Sequence, residues 1–383
     1  MNINFAKNKR IVFIPALLVI VTLQPYLIWE NTQLANYVSG ILMVILTYRH
    51  IEITPTNLKI SIIFIFCNLY FFLGGTTYSS FSPVFFLPLL FLIIPKSLQL
   101  EIFKKFTEII SVVFALGIIT YTLRLFIDLP GYEISPLNSL KQETYLVYLF
   151  DVTLPQTIFP KFFSIFDENG VVGTLCALLI SYQKININSF KKGAILLAGL
   201  LSFSLAFYIV LIINLIYNFN RHYLIFVPII FIIASFIPKD NILSVYIFDR
   251  MEVTEDGFTG NNRTGVDFEL HYDYFLKKGG SDLFYGRGIG ADKEDKIDEL
   301  GSSSYKVLVY RHGLLGCSLF LLFFIYLTIK ISSTNRGWFF FTIFIILLFQ
   351  RINLFLYYNI VVYVGGLLMI NYNQKILKKS NIN

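Results

Sequence analysis

Charge is scarce in this sequence. Only 14% of its 383 residues are Asp, Glu, Lys or Arg, against about 25% in soluble globular chains. Too little charge is present to cover a water-facing surface of that size. Hydrophobic residues make up 56% of the chain and the mean hydropathy is +0.67. A soluble enzyme and a disordered chain are therefore excluded. Cysteine is nearly absent too. Cys67, Cys176 and Cys317 are the only three, and all lie in apolar segments, which argues against a disulfide scaffold or a thiolate metal site. The four histidines are scattered, so a His-rich zinc site is not expected. No Walker loop, HExxH or GxSxG is found, which removes the common nucleotide-driven and hydrolytic motifs.

Long apolar runs are what the chain has in abundance, with 40 Phe and 24 Tyr among them. The class this indicates is an all-α polytopic membrane protein. Twelve apolar segments can be drawn, at about 11–28, 34–48, 60–74, 83–95, 106–127, 168–183, 193–204, 205–219, 223–237, 305–329, 337–354 and 355–371. The run from Gly193 to Phe219 carries no charge and is too long for one straight span of about 20 residues. A break near Ser202–Ser204 divides it into two short spans; one long tilted helix is the competing reading. The run after Lys7, Lys9 and Arg10 imitates a signal peptide but lacks a small-residue cleavage site before Trp29 and Glu30, and is read as the first span.

The net charge of +7 is distributed as short Lys/Arg clusters between apolar runs. That pattern reports membrane orientation and not nucleic-acid binding. With both termini in the cytoplasm, the short basic loops fall inside, where Glu52, Glu101 and Glu108 are the only acids. Two long segments then face outward, at about 128–167 and 238–304. The chain accordingly divides into membrane helices at 1–237, a large outer loop at 238–304, and further helices with a cytoplasmic tail at 305–383. Loops of this length between spans usually carry function. The second holds His271 and enough aromatics, Phe268, Tyr272 and Phe275 among them, to pack as a small cap.

The outward-facing side is basic. Lys161, Arg250, Arg263, Arg287 and Arg311 fall on it or near its interface, with Arg124 and Arg351 at outer span ends. Guanidinium groups bind phosphate oxygens in pairs and stay charged at all relevant pH values. A site for a lipid-linked diphosphate needs such groups, together with a carboxylate or imidazole to take a proton from an attacking hydroxyl. Asp167, Glu168 and His271 are the candidates for that role. Plainer readings stand beside these. Arg124, Arg311 and Arg351 suit interfacial anchors that snorkel to headgroups. Arg263 and Arg287 suit solvated ion pairs. Asp167-Glu168-Asn169 suits a helix start, and His271 a packed loop residue. Tyr285-Gly286-Arg287-Gly288-Ile289-Gly290 contains GxGxG but lacks a βαβ setting.

Four segments, in this order, resemble the O-antigen ligase and polymerase superfamily, which includes Wzy-type polysaccharide polymerases. They are Lys161 to Asn169 (the family's "R..G.f.dpN"), Asn262-Arg263-Thr264-Gly265, Asp282 to Gly290 (its "lfGrGig"), and Ser302-Ser303-Ser304-Tyr305 followed by Gly313-Leu314-Leu315-Gly316. The resemblance covers about 160–320 by motif and the whole chain by hydropathy. It implies a GT-C-like fold of about 12 transmembrane helices in the bacterial cytoplasmic (inner) membrane. The implied activity is metal-independent, cofactor-free inverting glycosyl transfer that joins polyprenyl-diphosphate-linked repeat units into an O-antigen, capsule or exopolysaccharide at the outer face. A chain-length regulator and a flippase are the implied protein partners. Arg263 and Arg287 would neutralise the diphosphate, Arg250, Lys161 and Arg311 would help hold it, and Asp167 or Glu168 would be the base. Departures are informative. Lys161 replaces an arginine, Leu205 stands where the family carries another arginine, and Ser302 and Ser303 stand where ligases carry His and Asn. A ligase dependent on that imidazole would be disabled, which favours a polymerase. The alternatives are a ligase of the same fold, a lipid-linked oligosaccharide flippase, and a membrane protein without catalysis.

Overall fold

The computed structural model describes residues 9–73, 86–135, 144–155, 161–183, 189–218, 253–254, 257–258, 266–288, 290, 305–350 and 356–380. The expected span at 223–237, together with Arg250, Asn262 to Gly265, Ser302, Ser303 and Arg351, lies outside the described residues. The described chain is mostly helical, and it is a membrane-embedded protein by the apolarity of those helices. In chain order the helices are α1 (Lys9–Val21), α2 (Thr32–Thr47), α3 (Pro55–Leu73), α4 (Phe86–Ile93), α5 (Lys96–Phe126), α6 (Asn169–Ser181), α7 (Phe190–Leu201), α8 (Leu205–Tyr217), α9 (Val266–Lys278), α10 (Gly280–Tyr285), α11 (Tyr305–Ile331), α12 (Asn335–Gln350) and α13 (Tyr357–Ser380). A three-stranded antiparallel sheet, β1 (Tyr132–Ile134), β2 (Tyr145–Tyr148) and β3 (Asp151–Thr153), lies between α5 and α6 in sequence. A two-stranded ribbon pairs β4 (Val253–Thr254) with β5 (Gly257–Phe258).

Among the described residues, two helices are long and apolar enough to cross a membrane: α5 with 31 residues and α11 with 27. The expectation of twelve spans is therefore met only in its coarser form, a helical membrane protein. The first expected span, 11–28, is not one helix. α1 stops at Val21 and a 3-10 helix follows at Tyr26–Asn31; taken with α2 this is a bent pair. The expected span at 106–127 starts ten residues earlier, because Lys96 to Lys105 continue the helix. At about 46 Å, α5 exceeds a hydrocarbon core of about 30 Å.

Two compact units divide the chain. The first holds residues 1–22, 33–105 and 262–383, and its core is aromatic. Phe324, Phe344 and Tyr363 meet with ring centroids 4.3–5.0 Å apart, joining α11, α12 and α13. Phe64 of α3 packs on Phe323 of α11 at 5.7 Å. Gly365 admits the Phe103 ring, which a Cβ would meet at 2.2 Å. The second unit holds residues 23–32 and 106–261. Its helices α6, α7 and α8 are short, and the break expected at Ser202–Ser204 is where α7 ends and α8 begins. Small and amide side chains account for it. Asn169 Nδ2 donates to the Ser202 carbonyl at 2.7 Å, Ser202 Oγ donates to the Gly199 carbonyl at 2.7 Å, and Asn214 Nδ2 donates to the Ile180 carbonyl at 2.8 Å. Carbonyls freed where a helix breaks are thus satisfied inside the protein, as an apolar surrounding requires.

The sheet covers a buried ion pair. Tyr132 pairs with Val147 and Leu146 with Thr153, which turns Tyr145 and Val147 inward. β3 is buried throughout. Its Asp151, fully buried, lies 3.1 Å from Nη2 of Arg124 on α5, itself only 10% exposed. The Arg124 guanidinium sits over the rings of Tyr121 and Tyr148, 5.6 and 5.2 Å from their centroids. Arg124 is thus an interior partner of the sheet, and not the snorkelling anchor that its position at a span end suggested. Burial pushes the Asp151 carboxyl up to about 7, against the pull of Arg124 and of the backbone amides of Phe163, Ser164 and Val152.

The folded chain favours the protonated carboxyl, so this contribution to stability is complete below the ordinary range near 4 and is lost as pH climbs through about 7. Arg124→Leu removes the largest opposing pull. It should destabilise the protein by about 3–5 kcal/mol at pH 8 and by clearly less at pH 5, where Asp151 holds its proton. Thermal unfolding of detergent-solubilised protein at the two pH values checks this; an equal loss at both contradicts it.

Candidate functional site

The residues of the expected site divide between the two units. Lys161, Asp167 and Glu168 belong to the second, and His271, Arg287 and Arg311 to the first. Arg250 and Arg263 lie outside the described residues. In the second unit, Lys161, Asp167 and Glu168 are half-buried along the segment that leads into α6. Glu168 is the N-cap of that helix, and its side chain makes no capping hydrogen bond. The helix-start reading therefore holds for the backbone of Glu168 but not for its carboxylate. Ser164 is buried with φ +52°, a conformation that glycine adopts without strain.

In the first unit the site is built from α9 upward. Phe268, Tyr272 and Phe275 recur at helical spacing, are all buried, and form the apolar stripe that docks the helix. Tyr310 of α11 receives them, with ring centroids 5.5 Å from Phe268 and 5.2 Å from Phe275. Asp267 and Glu269 in the first turn of α9 and Lys277 and Lys278 in the last suit the helix dipole. Glu269 also pairs with Lys306 of α11. Gly279 and Gly280, at φ +59° and +75°, end α9 and turn the chain directly into α10.

After α10 the backbone of Gly286-Arg287-Gly288 lies against α11. Arg287 N donates to the Tyr310 carbonyl at 2.8 Å and Gly288 N to the Arg311 carbonyl at 2.9 Å. Those carbonyls are accessible because α11 is interrupted at Gly313, which has φ +64° and ψ −176°. The approach leaves no room for side chains. A Cβ on Gly286 would lie 2.3 Å from the Arg311 carbonyl oxygen, and one on Gly313 would lie 2.3 Å from the Phe284 carbonyl oxygen. Tyr70 of α3 braces the joint, its hydroxyl 3.1 Å from the Tyr285 carbonyl and 2.9 Å from that of His312. Gly316 lets α3 come close, since its Cβ would meet Tyr70 at 3.1 Å.

This joint turns Arg287 into an open groove of about 390 Å³, lined by Leu270, His271, Tyr274, Phe275, Lys278, Asp282, Arg287 and Tyr310. The groove joins two of the expected residues, His271 and Arg287. Arg311 is half-buried beside the kink and contributes its carbonyl to the joint; it does not line the groove. Sequence reasoning missed Lys278 and Asp282. Lys278 Nζ is 3.1 Å from Asp282 Oδ2, and Arg287 Nη1 is 3.6 Å from the same oxygen. Lys278 donating to the carboxylate, with the nearby Arg287 charge, holds Asp282 below its ordinary range. The missed signal was the four-residue spacing of opposite charges, obscured by the intervening Gly279-Gly280. Chemically, the groove offers an ammonium and a guanidinium for phosphoryl oxygens, an imidazole for proton transfer, and aromatic walls of the kind that bury apolar ligand surface.

Two glycine substitutions separate close packing from chain flexibility. Gly313→Ala should destabilise the protein by more than about 2 kcal/mol, through its positive φ and the contact with Phe284. Gly193→Ala on α7, where a Cβ meets nothing within 4 Å, should be neutral or stabilising by up to about 1 kcal/mol. Thermal unfolding reads both, and equal effects would contradict the packing account. No family model, curated protein or solved structure matches the chain.

Proposed function

We propose that the protein is a polysaccharide polymerase. In this reading it joins polyprenyl-diphosphate-linked repeat units by inverting glycosyl transfer at the outer face of a bacterial cytoplasmic membrane. The observation that carries the reading is Arg287, held by its backbone on α11 and directed into an aromatic groove beside Lys278 and His271. It comes from the same segment that resembles the polymerase and ligase superfamily.

The acceptor hydroxyl oxygen attacks the anomeric carbon of the donor sugar from the face opposite the diphosphate. The bond from that carbon to the phosphate oxygen breaks, and its electron pair stays with the departing diphosphate. Arg287 and Lys278 stabilise the charge that develops there, with Arg263 assigned to the same leaving group and Arg250, Lys161 and Arg311 to its positioning. The hydroxyl proton passes to a base. Asp167, Glu168 and His271 are the candidates, and His271 shares the groove with Arg287. Serine at both Ser302 and Ser303 favours polymerase over ligase.

In a deletion strain carrying Arg287→Ala, extension beyond a single repeat should fall by at least about 100-fold, while the protein accumulates normally. Arg287→Lys should restore little, because the planar fork is lost. Electrophoretic separation of surface polysaccharide by length tests this. Polymer of normal length with Arg287→Ala would overturn the reading, whereas loss of all attached repeats in the deletion strain would point to a ligase.

A further inference from the structure

Asp282 stands where the diphosphate reading needs an anion. One oxygen of its carboxylate faces both cations of the groove, at 3.1 Å from Lys278 Nζ and 3.6 Å from Arg287 Nη1. All three side chains reach solvent, with 54% of Lys278, 32% of Arg287 and 28% of Asp282 exposed. Partly exposed ion pairs add little to stability, so the arrangement is a weak structural tie. What the geometry does well is to hold two positive groups within reach of one anionic centre. The backbone keeps them there: Gly279 and Gly280 fix the turn between Lys278 and Asp282, Gly286 N donates to the Asp282 carbonyl at 2.7 Å, and Arg287 N is held by Tyr310.

We propose that Asp282 is the resident counter-ion of the groove, displaced by a ligand that carries two adjacent phosphoryl groups and not by a monoanion. A monoanion would exchange one negative charge for another already tethered in place, with no electrostatic gain. A diphosphate brings more charge and several oxygens, and can engage the ammonium and the guanidinium together. Asp282 is thus a specificity-determining residue: its displacement costs every anion the same pairing, which a monoanion cannot recover and a diphosphate can. The inference rests on the diphosphate reading of the groove.

The test uses full-length protein in detergent micelles, titrated calorimetrically with inorganic pyrophosphate and with dimethyl phosphate, a monoanion, at fixed ionic strength. Wild-type protein should bind pyrophosphate and show no measurable binding of dimethyl phosphate. Asp282→Asn should bring dimethyl phosphate into the measurable range and tighten pyrophosphate by about three-fold or more. Asp282→Glu, which keeps the charge, should restore the wild-type behaviour and show that the Asn variant does not act by misfolding. Dimethyl phosphate still unbound and pyrophosphate affinity unchanged in Asp282→Asn, with pyrophosphate binding still lost in Arg287→Ala, removes the counter-ion role and leaves the groove reading standing. Pyrophosphate binding that is absent, or indifferent to Arg287→Ala, overturns both.

Discussion

The candidate site depends on one contact between two backbones. Gly286 and Gly313 bring the turn after α10 against the interruption in α11, at a separation that excludes a Cβ on either side. The interruption exposes carbonyls of α11 that an unbroken helix would use internally, and the turn supplies the amide donors of Arg287 and Gly288 to them. Unpaired carbonyls are costly in a low-dielectric surrounding, so helix and turn require each other. The cost of interrupting α11 is offset by fixing an arginine on a rigid base. A flexible loop would lose more conformational entropy when its guanidinium engaged a ligand.

Around that joint, packing and chemistry are separated by helix face. On α9, Phe268, Tyr272 and Phe275 face Tyr310 and are buried, while Tyr274 and Lys278 are exposed. The buried face fixes the helix, and the exposed one supplies the groove with a charge and an aromatic wall. In the second unit, the Arg124–Asp151 pair sits beneath the sheet, a different use of charge. There the pair is desolvated, and losing one partner strands the other. In the groove the charges reach water.

Much of this was legible in the sequence, but unevenly. Apolar runs located most of the helices, and the uncharged stretch from Gly193 to Phe219, too long for one straight span, was divided at Ser202–Ser204, where one helix ends and the next begins. The start of α5 was not legible, since the charges at Glu101, Lys104 and Lys105 read as a loop although they lie on a helix. The glycines of the Arg287 turn were noticed as a motif, yet their meaning needs two segments in contact: Gly286 is explained by Gly313, and neither by its neighbours. Arg124 looked like an interfacial anchor because its partner is 27 positions away on a strand whose register sequence does not display. Of the expected site, His271 and Arg287 come together in the groove, and Lys278 and Asp282 complete it.

The central claim is that the groove formed by α9, α10 and the start of α11 receives a polyprenyl diphosphate. Its most direct test is photo-crosslinking in native membranes with a short polyprenyl-diphosphate sugar carrying a photoreactive group near the phosphates, followed by peptide mapping. The account predicts adducts on peptides spanning Leu270 to Arg311, suppressed by excess unlabelled lipid diphosphate. Specific adducts confined to other segments would contradict it.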